Sequence, residues 1–203
     1  MSALDVRRGM RAMGMSERFA VGLAVGGVAV VAVLTGCSST VGGNATEEGS
    51  SPVSHNESVP LFNPCTDLSD EVLRGDRLDP ASKRVTVDSE TNDEAWWKIC
   101  NWDSTEGPYG VSIFSTRRTV PERRANEQSL VVQDVTVGSR AGLVSTKRSD
   151  PDKLTCYVSV PAVQGMFEVG VTWLYSERGS MPESPPCGVA IRHMNYFERH
   201  LPK

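Results

Sequence analysis

Few residues in this chain are placed to do chemistry, and they are scattered. The histidines are His55, His193 and His200. His193 and His200 stand seven apart, about two helical turns, so one helix face could carry both. No carboxylate or cysteine at ligand spacing completes a metal site, and the pair reads as solvent-facing. Asp103, Glu106 and Glu168 are carboxyls available for acid–base work. The domain contains no G-x-S-x-G elbow, H-E-x-x-H, P-loop, dinucleotide fingerprint or C-x-x-C pair. No catalytic residue, metal or cofactor is therefore assigned. The densest aromatic stretch is A-W-W-K-I-C-N-W, residues 95–102. Strand alternation puts Trp96 and Lys98 on one side and Trp97 and Ile99 on the other. Trp96 and Trp97 are the candidates for a surface that contacts a glycan, a lipid or a protein. Arg117-Arg118 and Arg123-Arg124 bracket T-V-P-E as a basic cluster, most simply a solvated surface.

A different chemistry is written at Leu34-Thr35-Gly36-Cys37, which resembles the bacterial lipobox. In such signals a diacylglycerol is joined to the cysteine thiol. The chain is then cut before the cysteine, between Gly36 and Cys37 here, and the new amino group can take a further acyl chain such as palmitate. Gly36 lets the backbone enter a narrow protease site, and Leu34 is the apolar contact. Thr35 stands where Ala or Ser is commoner. The upstream segment fits an export leader. Residues 1–36 carry four arginines against two acids, net +2, which leaves −6 of the total −4 for the remainder. Phe19 to Leu34 is sixteen residues without a charge. As a helix it reaches about 24 Å, short of a ~30 Å hydrocarbon core. A removed signal peptide is expected rather than a retained span. Two or three acyl chains anchor a protein stably where a single chain binds marginally.

The elements that would position any site lie further on. Residues 37–60 are the lipidated cysteine and a polar tether rich in Ser, Gly, Thr and Asn, with almost nothing to bury. Residues 61–203 form the globular extracytoplasmic domain. A helix is expected over Pro64–Arg74, with proline in its first turn and Gly75 at its exit. Strands are expected at Val85–Val87, Lys98–Asp103 and Tyr109–Thr116. Thr119-Val120-Pro121-Glu122 spells a capping box opening a helix to about Gln128. Val131–Val137, Ala141–Thr146, Leu154–Val160 and Phe167–Tyr175 follow as strands with connections too short for crossovers, hence antiparallel neighbours. Ser184 is the expected cap of a last helix. Its stripe Cys187, Ile191, Met194, Phe197 and Leu201 would face the sheet. The fold class is α+β: an antiparallel β-sheet with helices packed on one face, in a single domain with two disulfides.

Setting Cys37 aside leaves four cysteines, an even set in an exported chain. Three pairings are possible. Cys65 and Cys187 both follow proline at a helix start, while Cys100 and Cys156 both sit in strands. Context favours Cys65–Cys187 and Cys100–Cys156.

Asn63-Pro64-Cys65, Cys100-Asn101-Trp102, Cys156-Tyr157-Val158 and a late Cys187 resemble an actinobacterial lipoprotein family catalogued as domain of unknown function 3558. The resemblance covers about Leu61 to the C-terminus. It implies a place on the extracytoplasmic side of the cell membrane, held by the N-terminal lipid, and it brings no activity, ligand or catalytic residue. The net charge of −4 gives no electrostatic case for nucleic acid. The expected function is a non-enzymatic envelope lipoprotein that binds a ligand or partner. The alternatives are an enzyme acting on envelope polymers and a structural envelope component.

Overall fold

The computed structural model describes residues 59–89 and 96–203. Cys37, the cleavage point at Gly36, the leader, most of the tether and His55 lie outside the described residues. Two short helices come first, α1 (Pro64–Asp67) and α2 (Asp70–Gly75). Strands β1 (Arg84–Val87), β2 (Trp97–Asp103) and β3 (Tyr109–Thr116) follow. Helix α3 (Val120–Ala125) leads to β4 (Ser129–Val137), β5 (Arg140–Lys147), β6 (Thr155–Ala162) and β7 (Gly165–Trp173). Helix α4 (Cys187–Phe197) ends the fold. The strands form one seven-stranded antiparallel sheet in the order β1-β2-β3-β7-β6-β5-β4. Among the described residues no helix is long and apolar enough to cross a membrane.

Local chemistry accounts for the element ends. Asn63 caps α1 by accepting from the Cys65 N–H, Pro64 fills a first-turn position, and Cys65 is left facing β2. The expected single helix over Pro64–Arg74 is broken at Leu68, which is extended and buried, and Ser69 caps a new start. The Thr119–Glu122 capping box is present in full. Helix α3 stops at Ala125, before Gln128, because Asn126 leaves helical backbone and its Oδ1 accepts from the Gln128 N–H. Gly138, at φ 57°, makes the tight β4–β5 turn, where Val137 pairs with Arg140. The last helix is capped differently from expectation. Glu183 Oε1, not Ser184, accepts from the N–H groups of Gly188 and Val189.

Register decides the two faces. One row across the sheet reads Cys100, Ile113, Val169, Val158 and Val144, and all five are buried. This is the core face. Helix α1 covers it at β2, and α4 covers it at β6 and β7 with Ala190, Met194 and Phe197. The neighbouring row on the opposite face reads Ile99, Phe114, Glu168, Ser159 and Leu143. It is partly polar, yet its last three members are also buried. What covers them is α3, which contacts β4, β5 and β6. The first and last helices thus share a face, and the middle helix takes the other.

That arrangement follows from topology. Four antiparallel steps separate β3 from β4, so the two run parallel and the chain between them must cross β7, β6 and β5. At about 4.8 Å per strand this is a span of ~19 Å, easily covered by residues 117–128.

Both expected disulfide pairings are corrected. The bonds are Cys65–Cys100 and Cys156–Cys187, with Cα atoms 5.3 and 5.1 Å apart. Cys100 and Cys156 lie on β2 and β6, three strand spacings apart. That is ~14 Å, twice the ~7 Å limit for a bridge. Each strand cysteine bonds instead to the helix above it. His193 is also corrected: it is completely buried, whereas His200 is exposed. Position 193 falls on the inner face of α4 with Ala190, Met194 and Phe197.

Candidate functional site

Helix α3 and the sheet face beneath it enclose a cleft of about 240 Å³. Trp97 and Met166 give it apolar walls; Arg118, Glu122, Arg123, Asn126 and Glu168 give it polar ones. Trp97 opens β2 and packs edge-on against Phe114, ring centres 6.5 Å apart at 79°. Met166 lies in the same register row on β7, since Thr116 pairs with both Trp97 and Met166. Arg118 directly precedes the capping box, and Glu122 and Arg123 come from the box and the helix it starts.

Glu168 is the deepest charged group, 4% exposed. Ser159 donates to its Oε2 at 2.6 Å, and Arg123 Nε forms a close ion pair with the same oxygen at 2.8 Å. Burial pushes this carboxyl above its ordinary value, against the opposing pull of Arg123 and the Ser159 hydrogen bond. Arg123 Nη1 donates to Ser129 Oγ, and its guanidinium lies 4.9 Å from the Tyr157 ring centre. Arg123 Nη2 is buried and has no hydrogen-bond partner among the described residues. Lys147 approaches the same Tyr157 ring at 5.0 Å. Burial, the largest influence, raises the Tyr157 phenol. The ring lies close over Gly170: a Cβ there would come within 2.8 Å of it, so only glycine admits it.

Nearer the surface, Arg118 pairs with Glu122 at 3.1 Å, and its guanidinium stands 5.0 Å over the Trp96 ring. Glu122 Oε2 accepts from both the backbone N–H and the hydroxyl of Thr119. Each guanidinium in the cleft thus has a carboxylate partner there.

A second buried polar cluster lies on the core face. Asp76 Oδ2 is 2.6 Å from His193 Nδ1, and His193 Nε2 is 3.2 Å from the Tyr109 hydroxyl. Arg192 donates to that hydroxyl at 3.0 Å and pairs with Glu106 at 2.6 Å. Burial raises the Asp76 carboxyl, opposed by the His193 contact. This chain ties α4 to the turn after α2 and to the start of β3.

The structure therefore gathers Trp97, Glu168, Arg118 and Arg123 into one cleft, with Trp96 at its edge. Asp103 does not join them. It takes a bidentate pair with Arg84, whose hydrogen bonds hold it below the usual carboxylate range. Glu106 belongs to the Arg192 cluster. Ser159, Tyr157, Asn126 and Met166 escaped the sequence reading. Ser159 had one signal, a serine interrupting the apolar strand C-Y-V-S-V; the other three carried none. Among the described residues no group of three or more His, Cys, Asp or Glu could hold a metal ion.

A family model matches residues 32–200, most of the chain. The chain belongs to the family described as protein of unknown function, DUF3558. The matched region of this DUF3558 chain takes in all four disulfide cysteines, both helices that carry them and the cleft residues. No curated protein and no solved structure matches it.

Proposed function

We propose that this DUF3558 protein is a lipid-anchored component of the cell envelope, on the extracytoplasmic side of the membrane, whose folded domain is a ligand-binding module. The anchor rests on Leu34-Thr35-Gly36-Cys37 behind an uncharged sixteen-residue run. The binding reading is carried by one observation: the charged groups of the cleft are bound to one another. Glu122 is held by Thr119 and Arg118, and Glu168 by Ser159 and Arg123. Such groups present fixed donors and acceptors to a ligand, whereas a general acid or base needs a carboxyl free to trade its proton.

The anchor is tested by mass spectrometry of the protein from its native membrane. The expected N-terminus is Cys37 bearing diacylglycerol, and Cys37→Ser should leave the protein unanchored. An intact Met1 or an unmodified Cys37 refutes it. The alternative, an enzyme acting on envelope polymers, has one observation in its favour. Glu122 and Glu168 line the same cleft, and Glu168 titrates above the ordinary range. Turnover of a polymer that vanished in Glu168→Gln, with the fold intact, would establish that reading over the first.

A further inference from the structure

We propose that the cleft under α3 takes one neutral sugar ring, either a free hexose or the end residue of an uncharged glycan. This rests on the binding reading above and names its ligand. Charge comes first. Two guanidiniums and two carboxyls line the cleft, paired at 3.1 and 2.8 Å, so its formal charges cancel. An anion would have to displace a carboxylate from its arginine, and a cation the reverse, so the lining favours neither. A hydroxyl both donates and accepts, and it fits a wall of planar groups offering both functions: guanidinium, carboxylate and the Asn126 amide.

Shape agrees with charge. At about 240 Å³ the cleft holds the equivalent of about eight waters at ~30 Å³ each, room for a single ring and not for an acyl chain. Trp97 and Met166 offer apolar wall to the C–H face of such a ring, and Trp97 is held against Phe114. A twelve-atom ligand at ~0.3 kcal/mol per atom binds with a dissociation constant on the order of millimolar.

The test uses the mature lipoprotein in a detergent without sugar headgroups. Titration calorimetry and tryptophan fluorescence follow glucose, galactose, mannose and a neutral oligosaccharide, with glucuronic acid and glucosamine as charged counterparts. The expected result is millimolar binding of at least one neutral sugar, and weaker binding of its charged counterparts. Trp97→Ala should weaken that binding about tenfold, while Trp97→Phe keeps most of it, both with the circular dichroism of the parent. An oligosaccharide that binds at least tenfold tighter than its monomer points to a polymer end, and equal affinity to free sugar. Binding of a charged sugar alone overturns the ligand class and leaves the binding reading standing. Neutral-sugar binding unchanged in Trp97→Ala overturns the placement. Failure of every probe to bind overturns the proposal, and the binding reading then fails separately if the parent protein also binds neither envelope glycans nor lipid vesicles.

Discussion

Glu168 shows what a buried ion pair costs and what it fixes. Desolvation works against its charge, and Arg123 returns part of that loss. Arg123→Met should lower stability by about 3 kcal/mol at neutral pH and by less in acid, where the carboxyl is protonated. The double variant Arg123→Met/Glu168→Leu should recover to within about 1 kcal/mol of the parent, because no charge is left stranded. Urea unfolding of the three proteins measures both. The pH dependence follows from the direction of the Glu168 shift. Above its ordinary value of 4.5 and below its raised folded value, the folded protein keeps a proton that the unfolded chain has released. This residue's contribution to stability therefore falls as pH rises through that window, and is fully retained below it. Stability of the parent minus that of Glu168→Gln, measured from about pH 4 to pH 8, should decline with pH. A flat difference would show that burial does not raise this carboxyl.

At the scale of elements, the disulfides join each helix of the core face to the strand it covers. The bridges close 35 and 31 residues of chain. Loop-closure entropy alone then amounts to about 4 kcal/mol for each. Cys65→Ala/Cys100→Ala should cost about that much and free α1 from β2. Cys156→Ala/Cys187→Ala should do the same to the start of α4. Non-reducing peptide mapping should show Cys65 linked to Cys100 and Cys156 to Cys187; any other linkage refutes the pairing. The bridged pairs were not legible in sequence. Proline before Cys65 and Cys187 says that both open helices, not which strand lies beneath each. His193 failed for a related reason. A seven-residue spacing to His200 places two residues on one helix face only if α-helical geometry continues, and after Phe197 the chain tightens into a 3-10 turn over Glu198–His200.

For the whole molecule, the sheet has two unlike edges. β1 is four residues long, while β4 runs nine and exposes Leu130, Val131 and Val132 with no lysine, arginine or proline within it. A long apolar edge is a template for pairing with another chain. Val132 is the extra residue of a bulge, since Val131 and Gln133 pair with the adjacent Ser145 and Val144, and it is 51% exposed. Val132→Lys should change folding free energy by less than about 0.5 kcal/mol while reducing self-association. Sedimentation velocity at rising concentration checks it; unchanged association would clear this edge.

The sequence by itself determined the elements that depend on neighbours along the chain. Alternation marked Tyr109–Thr116, T-V-P-E marked the α3 start, and Gly138-Ser139 marked the β4–β5 turn. Those signals are local, set by backbone geometry and by hydrogen bonds a few residues long. Only the tertiary structure decided that β7 returns to lie beside β3, since that pairing joins residues about sixty apart along the chain and leaves no local mark. From that one pairing follow the crossing of α3 over the second face, the burial of Glu168 and Ser159 beneath it, and a separation of Cys100 from Cys156 too wide to bridge. The cleft exists because of it, and so Trp97, Arg118, Arg123 and Glu168, readable one by one as polar or aromatic residues, become a site only in three dimensions.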